Sequence, residues 1–128
     1  MERLFLVLAG VNGFVGVTLG AFGAHGLRGS LSHAADGARR LEVWETAARY
    51  QLIHALALGL VAYLSTRSVG QVPMFAGYLF QAGIVIFSGS LYALSITGVR
   101  ALGAITPIGG LCFLAGWGAF VLAASRMN

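Results

Sequence analysis

The chain contains no lysine, and its eight basic residues are all arginine. That absence removes Schiff-base chemistry and the lysine-bearing phosphate loop together. Acidic groups are just as scarce: four carboxylates, so that only 9% of the 128 residues are charged. An average soluble domain carries about 25%. With 58% hydrophobic residues and a mean hydropathy of +0.84, the polar groups cannot cover a water-facing surface. Lipid has to cover it instead. The single cysteine, Cys112, lies in an apolar run; no intrachain disulfide can form and its thiol reads as a small packing group. The net charge of +4 is spread over every loop, which suits membrane-edge anchoring and not nucleic-acid binding.

What is present is organised around one stretch, Trp44 to Leu58. It begins with the polarity of a soluble helix and ends as hydrocarbon. At helical spacing Thr46, Tyr50 and His54 share a stripe, with Glu45 and Arg49 beside them in the order that favours an intrahelical pair. His54 stands roughly 15 Å further along the helix than Trp44, which places it near mid-membrane. An ionisable residue at that depth is a functional candidate by default, although a neutral imidazole bonded to a tyrosine or serine of a neighbouring helix would serve packing equally well.

Along the chain, four apolar segments have the length of a bilayer crossing: about 4–25, 44–64, 73–95 and 105–125. Leu4 to Ala24 is taken as a retained first span and not a cleaved leader. Its Gly13, Gly16, Gly20 and Gly23 leave one face almost bare, a surface on which another helix can pack closely. Gly109 and Gly116, with Cys112, Ala119 and Ala123, form a second smooth face on the fourth span, its natural partner. His25 falls at the end of the first span as an edge residue. Residues 28–42 form the one sizeable extramembrane segment, with the spacing of a short helix lying in the interface. Trp44 and Tyr63 flank the second span at headgroup level. Pro73 and Pro107 stand where the third and fourth spans begin. The third span carries Gln81, Ser88, Tyr92 and Ser95 on one polar stripe. The expectation is an all-α membrane protein, four transmembrane helices in an antiparallel up-down bundle forming a single domain. A positive-inside count favours the long loop in the cytoplasm, but its arginines alternate with acids and orientation stays open.

Gly20 to Gly26, Trp44 to Leu58, Phe87 to Tyr92, and Thr106 to Gly110 with Gly116-Trp117 also carry a resemblance. In order and over essentially the whole chain they resemble the small membrane family known as domain of unknown function 423, to which eukaryotic transmembrane protein 256 is similar. The resemblance implies a multi-pass protein of the bacterial cytoplasmic membrane. It brings no activity with it.

The residues exclude several chemistries. Ser88-Gly89-Ser90 is not a Gly-x-Ser-x-Gly elbow and has no acid partner at membrane depth. His25 and His54 are set at heights roughly 10 Å or more apart by the helix rise, too far to share one haem iron within a protomer. His25, His33 and Glu42 lack a recognisable metal-ligand spacing. No cofactor is expected. Three functions survive: a non-enzymatic module that self-associates or docks on a larger membrane complex; a channel, transporter or binder of a lipid- or quinone-sized ligand; and an enzyme or redox subunit. The second would use an intramembrane polar network of Glu45, Arg49, Tyr50, His54, Ser88, Ser90 and Tyr92. The polar stripes of the second and third spans are expected to face each other.

Overall fold

A computed structural model describes residues 1–128. Four helices are long and apolar enough to cross a membrane: α1 (Glu2–Leu31), α2 (Gly37–Arg67), α3 (Val72–Thr97) and α4 (Thr106–Ala124), the last preceded by a 3₁₀ turn, Arg100–Ala104. Two of them are interrupted by π-helical turns, Gly23–Leu27 in α1 and Ile84–Ser88 in α3.

The largest departure from expectation is the α1–α2 connection. Instead of a separate interfacial helix over 28–42, α1 continues past His25 to Leu31 and α2 starts at Gly37, so that only residues 32–36 turn. The amphipathic pattern of residues 34–42 belongs mostly to the first turns of α2, collinear with the second span. The turn closes because Gly37 lacks a side chain. A Cβ there would overlap the carbonyl of Leu31. Asp36, preceding α2, makes no capping bond to it; its carboxylate lies 3.6 Å from the Arg40 guanidinium.

Arg40 also fastens the opposite end of α3. Its Nε and Nη2 donate to the carbonyls of Ser95 (2.7 Å) and Ile96 (2.6 Å), and the Ser95 hydroxyl donates back to the Arg40 carbonyl. A cation thereby occupies the carbonyl end of a helix, where the backbone has unpaired acceptors. α3 stops at Gly98, whose φ of 72° is the left-handed stop that glycine adopts without cost.

Consecutive helices pack in opposing directions. Along α1, Ala9, Gly16, Gly20 and Gly23 lie beside Gly59, Leu52, Ala48 and Trp44 of α2. Ser88 and Ser95 of α3 reach Ala47 and Arg40 of α2. Phe80, Gly83 and Phe87 of α3 meet Gly116, Phe113 and Gly109 of α4. α2 is therefore the axis along which α1 and α3 both pack, and α4 packs mainly on α3. The smooth faces of α1 and α4 do not meet each other, contrary to the expectation from their spacing. Gly16 and Gly23 accept Leu52 and Trp44 of α2, whereas Gly109 and Gly116 accept Phe87 and Phe80 of α3; Gly13 faces open space. Trp44 likewise is no headgroup anchor. It is 2% exposed, wedged between Phe22 and Tyr92 with its indole N–H on the Leu19 carbonyl.

The main core lies toward the Phe5 end. Phe5 inserts over Gly77 into a cluster with Leu58, Val61, Ala76, Phe80 and Phe113. A smaller cluster of Leu27, Leu31 and Trp44 closes the opposite end. Between the two the packing turns polar.

Candidate functional site

His54 is held from both sides. Its Nδ1 lies 2.7 Å from the Tyr50 carbonyl, which can only accept, so Nδ1 carries the proton. Its Nε2 lies 3.1 Å from the Trp117 indole N–H, which can only donate, so Nε2 is bare. The imidazole is therefore neutral in this arrangement, with both nitrogens used. It also stacks on Phe113 at 3.6 Å between centroids and 8° between planes. The hydrogen-bond partner on a neighbouring helix is thus a tryptophan of α4, not the tyrosine or serine expected. Replacing Trp117 with phenylalanine keeps an aromatic ring and removes the donor. It should cost about 1 kcal/mol of stability in detergent, in the range of intramembrane hydrogen bonds. An unchanged unfolding curve would mean that this bond contributes nothing.

The other expected members of the network disperse. Glu45 turns away from Arg49 and lies 3.8 Å from Arg28, at the end of α1; both partners are exposed. Arg49 is exposed and makes no ion pair. Tyr50 is a third exposed, its ring against Phe87. Ser90 faces the other way, toward α4, and bonds the Thr106 hydroxyl at 2.7 Å. His25, on the π turn of α1, is exposed, and no three His, Cys, Asp or Glu side chains gather anywhere. Ser88 and Tyr92 do meet α2: the Ser88 hydroxyl donates to the Ala47 carbonyl at 2.8 Å, and the Tyr92 hydroxyl to Gln51 Oε1 at 2.7 Å. Ser88 and Tyr92 thus meet α2 at Ala47 and Gln51 and not at the stripe of Thr46, Tyr50 and His54. His54 bonds α4 instead, contrary to the expectation that the two stripes face each other.

Gln51 belongs to a chain of four side chains from three helices. Tyr92 donates to Gln51, Gln51 Nε2 donates to Asn12 Oδ1 at 3.3 Å, and Asn12 Nδ2 donates to Gln81 Oε1 at 2.8 Å. Amide orientation is ordinarily ambiguous, but here one bond decides it. Asn12 Nδ2 also reaches the Leu8 carbonyl at 2.8 Å, and only the amide nitrogen can donate there. That anchors Asn12, and its orientation fixes each neighbour in turn. The ladder ends with the Gln81 amide N–H pair, which has no protein acceptor. Asn12 and Gln51 are 6% and 5% exposed.

These groups line a cleft of about 290 Å³ where α1 and α3 diverge, bounded by Asn12, Leu19, Gln51, Gln81, Ser88 and Tyr92. The π turn of α3 shapes it. Such a turn winds in one extra residue, rotating the helix before it by about 100° relative to the helix after it. Gln81 is thereby aimed at α1 while Ser88, Tyr92 and Ser95 serve α2. Helical spacing does not single out Asn12 or Gln51, and it presents Gln81 only as part of a stripe. A signal is present nonetheless: three amides within the membrane-length segments, each needing an internal partner.

Comparison with known proteins shows the family. Residues 19–110 match the family model described as "Protein of unknown function (DUF423)". The chain belongs to that family. The UPF0382 membrane protein YwdK of Bacillus subtilis is 46% identical over 126 residues, 97% of this chain and 98% of its own length. The UPF0382 membrane protein SAB0533 of Staphylococcus aureus is 45% identical over 121 residues, 94% of either chain. No solved structure matches. With four membrane-length helices and bacterial relatives named as membrane proteins along nearly its full length, the chain is a multi-pass membrane protein.

Proposed function

We propose that this family member is a non-enzymatic membrane module that holds a neutral, carbonyl-bearing, membrane-soluble molecule in the α1–α3 cleft. The observation that carries the reading is the Gln81 N–H pair, unpartnered and lining the cleft. Asn12, Gln51 and Gln81 lie near the middle of their helices. Lipid ester carbonyls sit at the boundary, about 15 Å from the bilayer centre, and acyl chains offer no acceptor. An amide donor left in hydrocarbon is costly. A molecule with a carbonyl buried at that depth, of the kind a quinone head presents, relieves the cost, and the Tyr92 and Asn12 oxygens have lone pairs left for a donor on it.

The test is native mass spectrometry in mild detergent with decylubiquinone, against decylbenzene as a tail without carbonyls. The quinone is expected to remain bound to the protein, decylbenzene is not, and Gln81→Leu should remove the adduct while lowering the unfolding midpoint only by the loss of its one bond to Asn12. Equal retention of both probes, or retention by the Gln81→Leu protein, would defeat the reading.

A second reading, self-association, is favoured by Gly10 and Gly13, which meet nothing within 4 Å on the lipid side of α1. Beside them an almost wholly apolar groove of about 500 Å³ runs between α1 and α2, lined by residues such as Ala9, Val17, Leu52 and Gly59. The same spectra test it: a dimer mass that survives detergent and disappears in Gly13→Leu is its expected result.

A further inference from the structure

We infer that Arg39 and Arg100, completed by Arg40, form a binding site at the membrane edge for the phosphate of an anionic phospholipid. A pocket of about 180 Å³ opens where the start of α2 meets the α3–α4 turn, lined by these three arginines, Asp36 and the glycines Gly98 and Gly103. Three guanidiniums against one carboxylate leave it two charges positive. The carboxylate is already engaged: Asp36 lies 3.6 Å from Arg40. Arg40 is fixed by that contact and by its bonds to the Ser95 and Ile96 carbonyls, so it supplies a rigid positive wall. Arg39 and Arg100 are different. Both are exposed, and neither makes an ion pair or a side-chain hydrogen bond within the protein. A guanidinium presents a fork of donors that fits phosphate oxygens, and two such forks converge on a pocket whose glycines leave backbone within reach of a ligand.

The surroundings argue for a lipid as the carrier of the phosphate. Ile96, Val99 and Ile105, in and around the α3–α4 turn, are 56%, 50% and 44% exposed. A turn with this much bare aliphatic surface sits in the headgroup region, so the pocket has a charged floor beside an apolar wall. An anionic phospholipid satisfies both at once, phosphate in the pocket and acyl chains along the wall. A free phosphate uses only the first, and a zwitterionic lipid brings its own cation against a pocket that is already two charges positive. This site is independent of the amide cleft. It lies at the helix ends, and none of its arginines touches the ladder.

The experiment is thermal unfolding of the full chain in a neutral detergent, titrated with phosphatidylglycerol, phosphatidylcholine or inorganic phosphate. A ligand that binds the folded state raises the midpoint as its concentration passes the dissociation constant. Phosphatidylglycerol is expected to raise the midpoint saturably and phosphatidylcholine is not. The double variant Arg39→Gln, Arg100→Gln should weaken the apparent affinity at least about tenfold, since each arginine near an anionic headgroup contributes on that scale. Both residues are exposed, so the variant folds; a control carrying Arg3→Gln and Arg126→Gln, at the opposite membrane face, should respond like the parent. Three results would overturn the proposal: an equal response to both lipids, an unchanged response in the double variant, or a full response to inorganic phosphate alone.

Discussion

Gly109→Leu is expected to separate α4 from α3 and to be strongly destabilising. A Cβ at residue 109 would overlap the backbone nitrogen and Cα of Phe87, not a side chain that could rotate away. Relief requires moving one helix against the other. That movement is opposed at two further points on the same seam, where Gly83 receives the Phe113 ring and Gly116 the Phe80 ring. Overpacking ordinarily costs about 1–3 kcal/mol, and three coupled contacts put this case at about 3 kcal/mol or more. Separation would also pull Trp117 from His54 and Thr106 from Ser90, two side-chain bonds that α4 makes to its neighbours. The control is on the same helix: Gly118 meets nothing within 4 Å, so Gly118→Leu adds a side chain facing lipid. Unfolding of the two variants by titration with a denaturing detergent should diverge widely. Similar curves would show that the close approach at Gly109 is not what joins the helices.

The second large effect is expected from Asn12→Leu, which keeps side-chain volume and removes the hub of the ladder. Gln81 Oε1 and Gln51 Nε2 would both lose their partner. In an aqueous protein each orphaned polar group costs about 1–3 kcal/mol. In a bilayer the measured value per bond is smaller, averaging about 0.6 kcal/mol, because unfolded helices also find partners there. The total should therefore fall at about 1–3 kcal/mol, below that of Gly109→Leu. A double-mutant cycle separates hydrogen bonding from packing. Adding Gln81→Leu to Asn12→Leu removes one of the orphans, so the pair should cost less than the sum of the two single changes. Strict additivity would mean that the two amides do not interact.

These two experiments address features that differ in how they could be foreseen. The glycines are legible in the sequence as smooth faces, since small residues at three- and four-residue spacing always make one. Their partners are not. Gly16 and Gly23 pack on α2 and Gly109 on α3, because the partner is chosen by which large side chain lies opposite at the same height, a property of two helices at once. Likewise Glu45 has Arg49 one turn along in its own helix, but Arg28 at the end of α1 is the cation it approaches. The deep placement of His54 and its bonding within the protein are readable from the chain, whereas its bond to Trp117 spans 63 positions that no local spacing encodes.

What the amino-acid order determined alone is the class and the number of spans. Transfer of a helix into lipid is a sum over consecutive side chains, so four long apolar runs are enough to read it. The departures occur where the energy is not a sum along one helix. The start of α2 at Gly37 depends on how closely Leu31 approaches it. The π turn at Ile84–Ser88 rotates half of α3 by one residue's worth of angle, sending Gln81 to α1 and leaving Tyr92 on α2. The amide ladder exists only because Asn12, Gln51 and Gln81, on three separate helices, reach the same depth. Hydrocarbon makes each of them need a partner, and only the tertiary structure decides which one it finds.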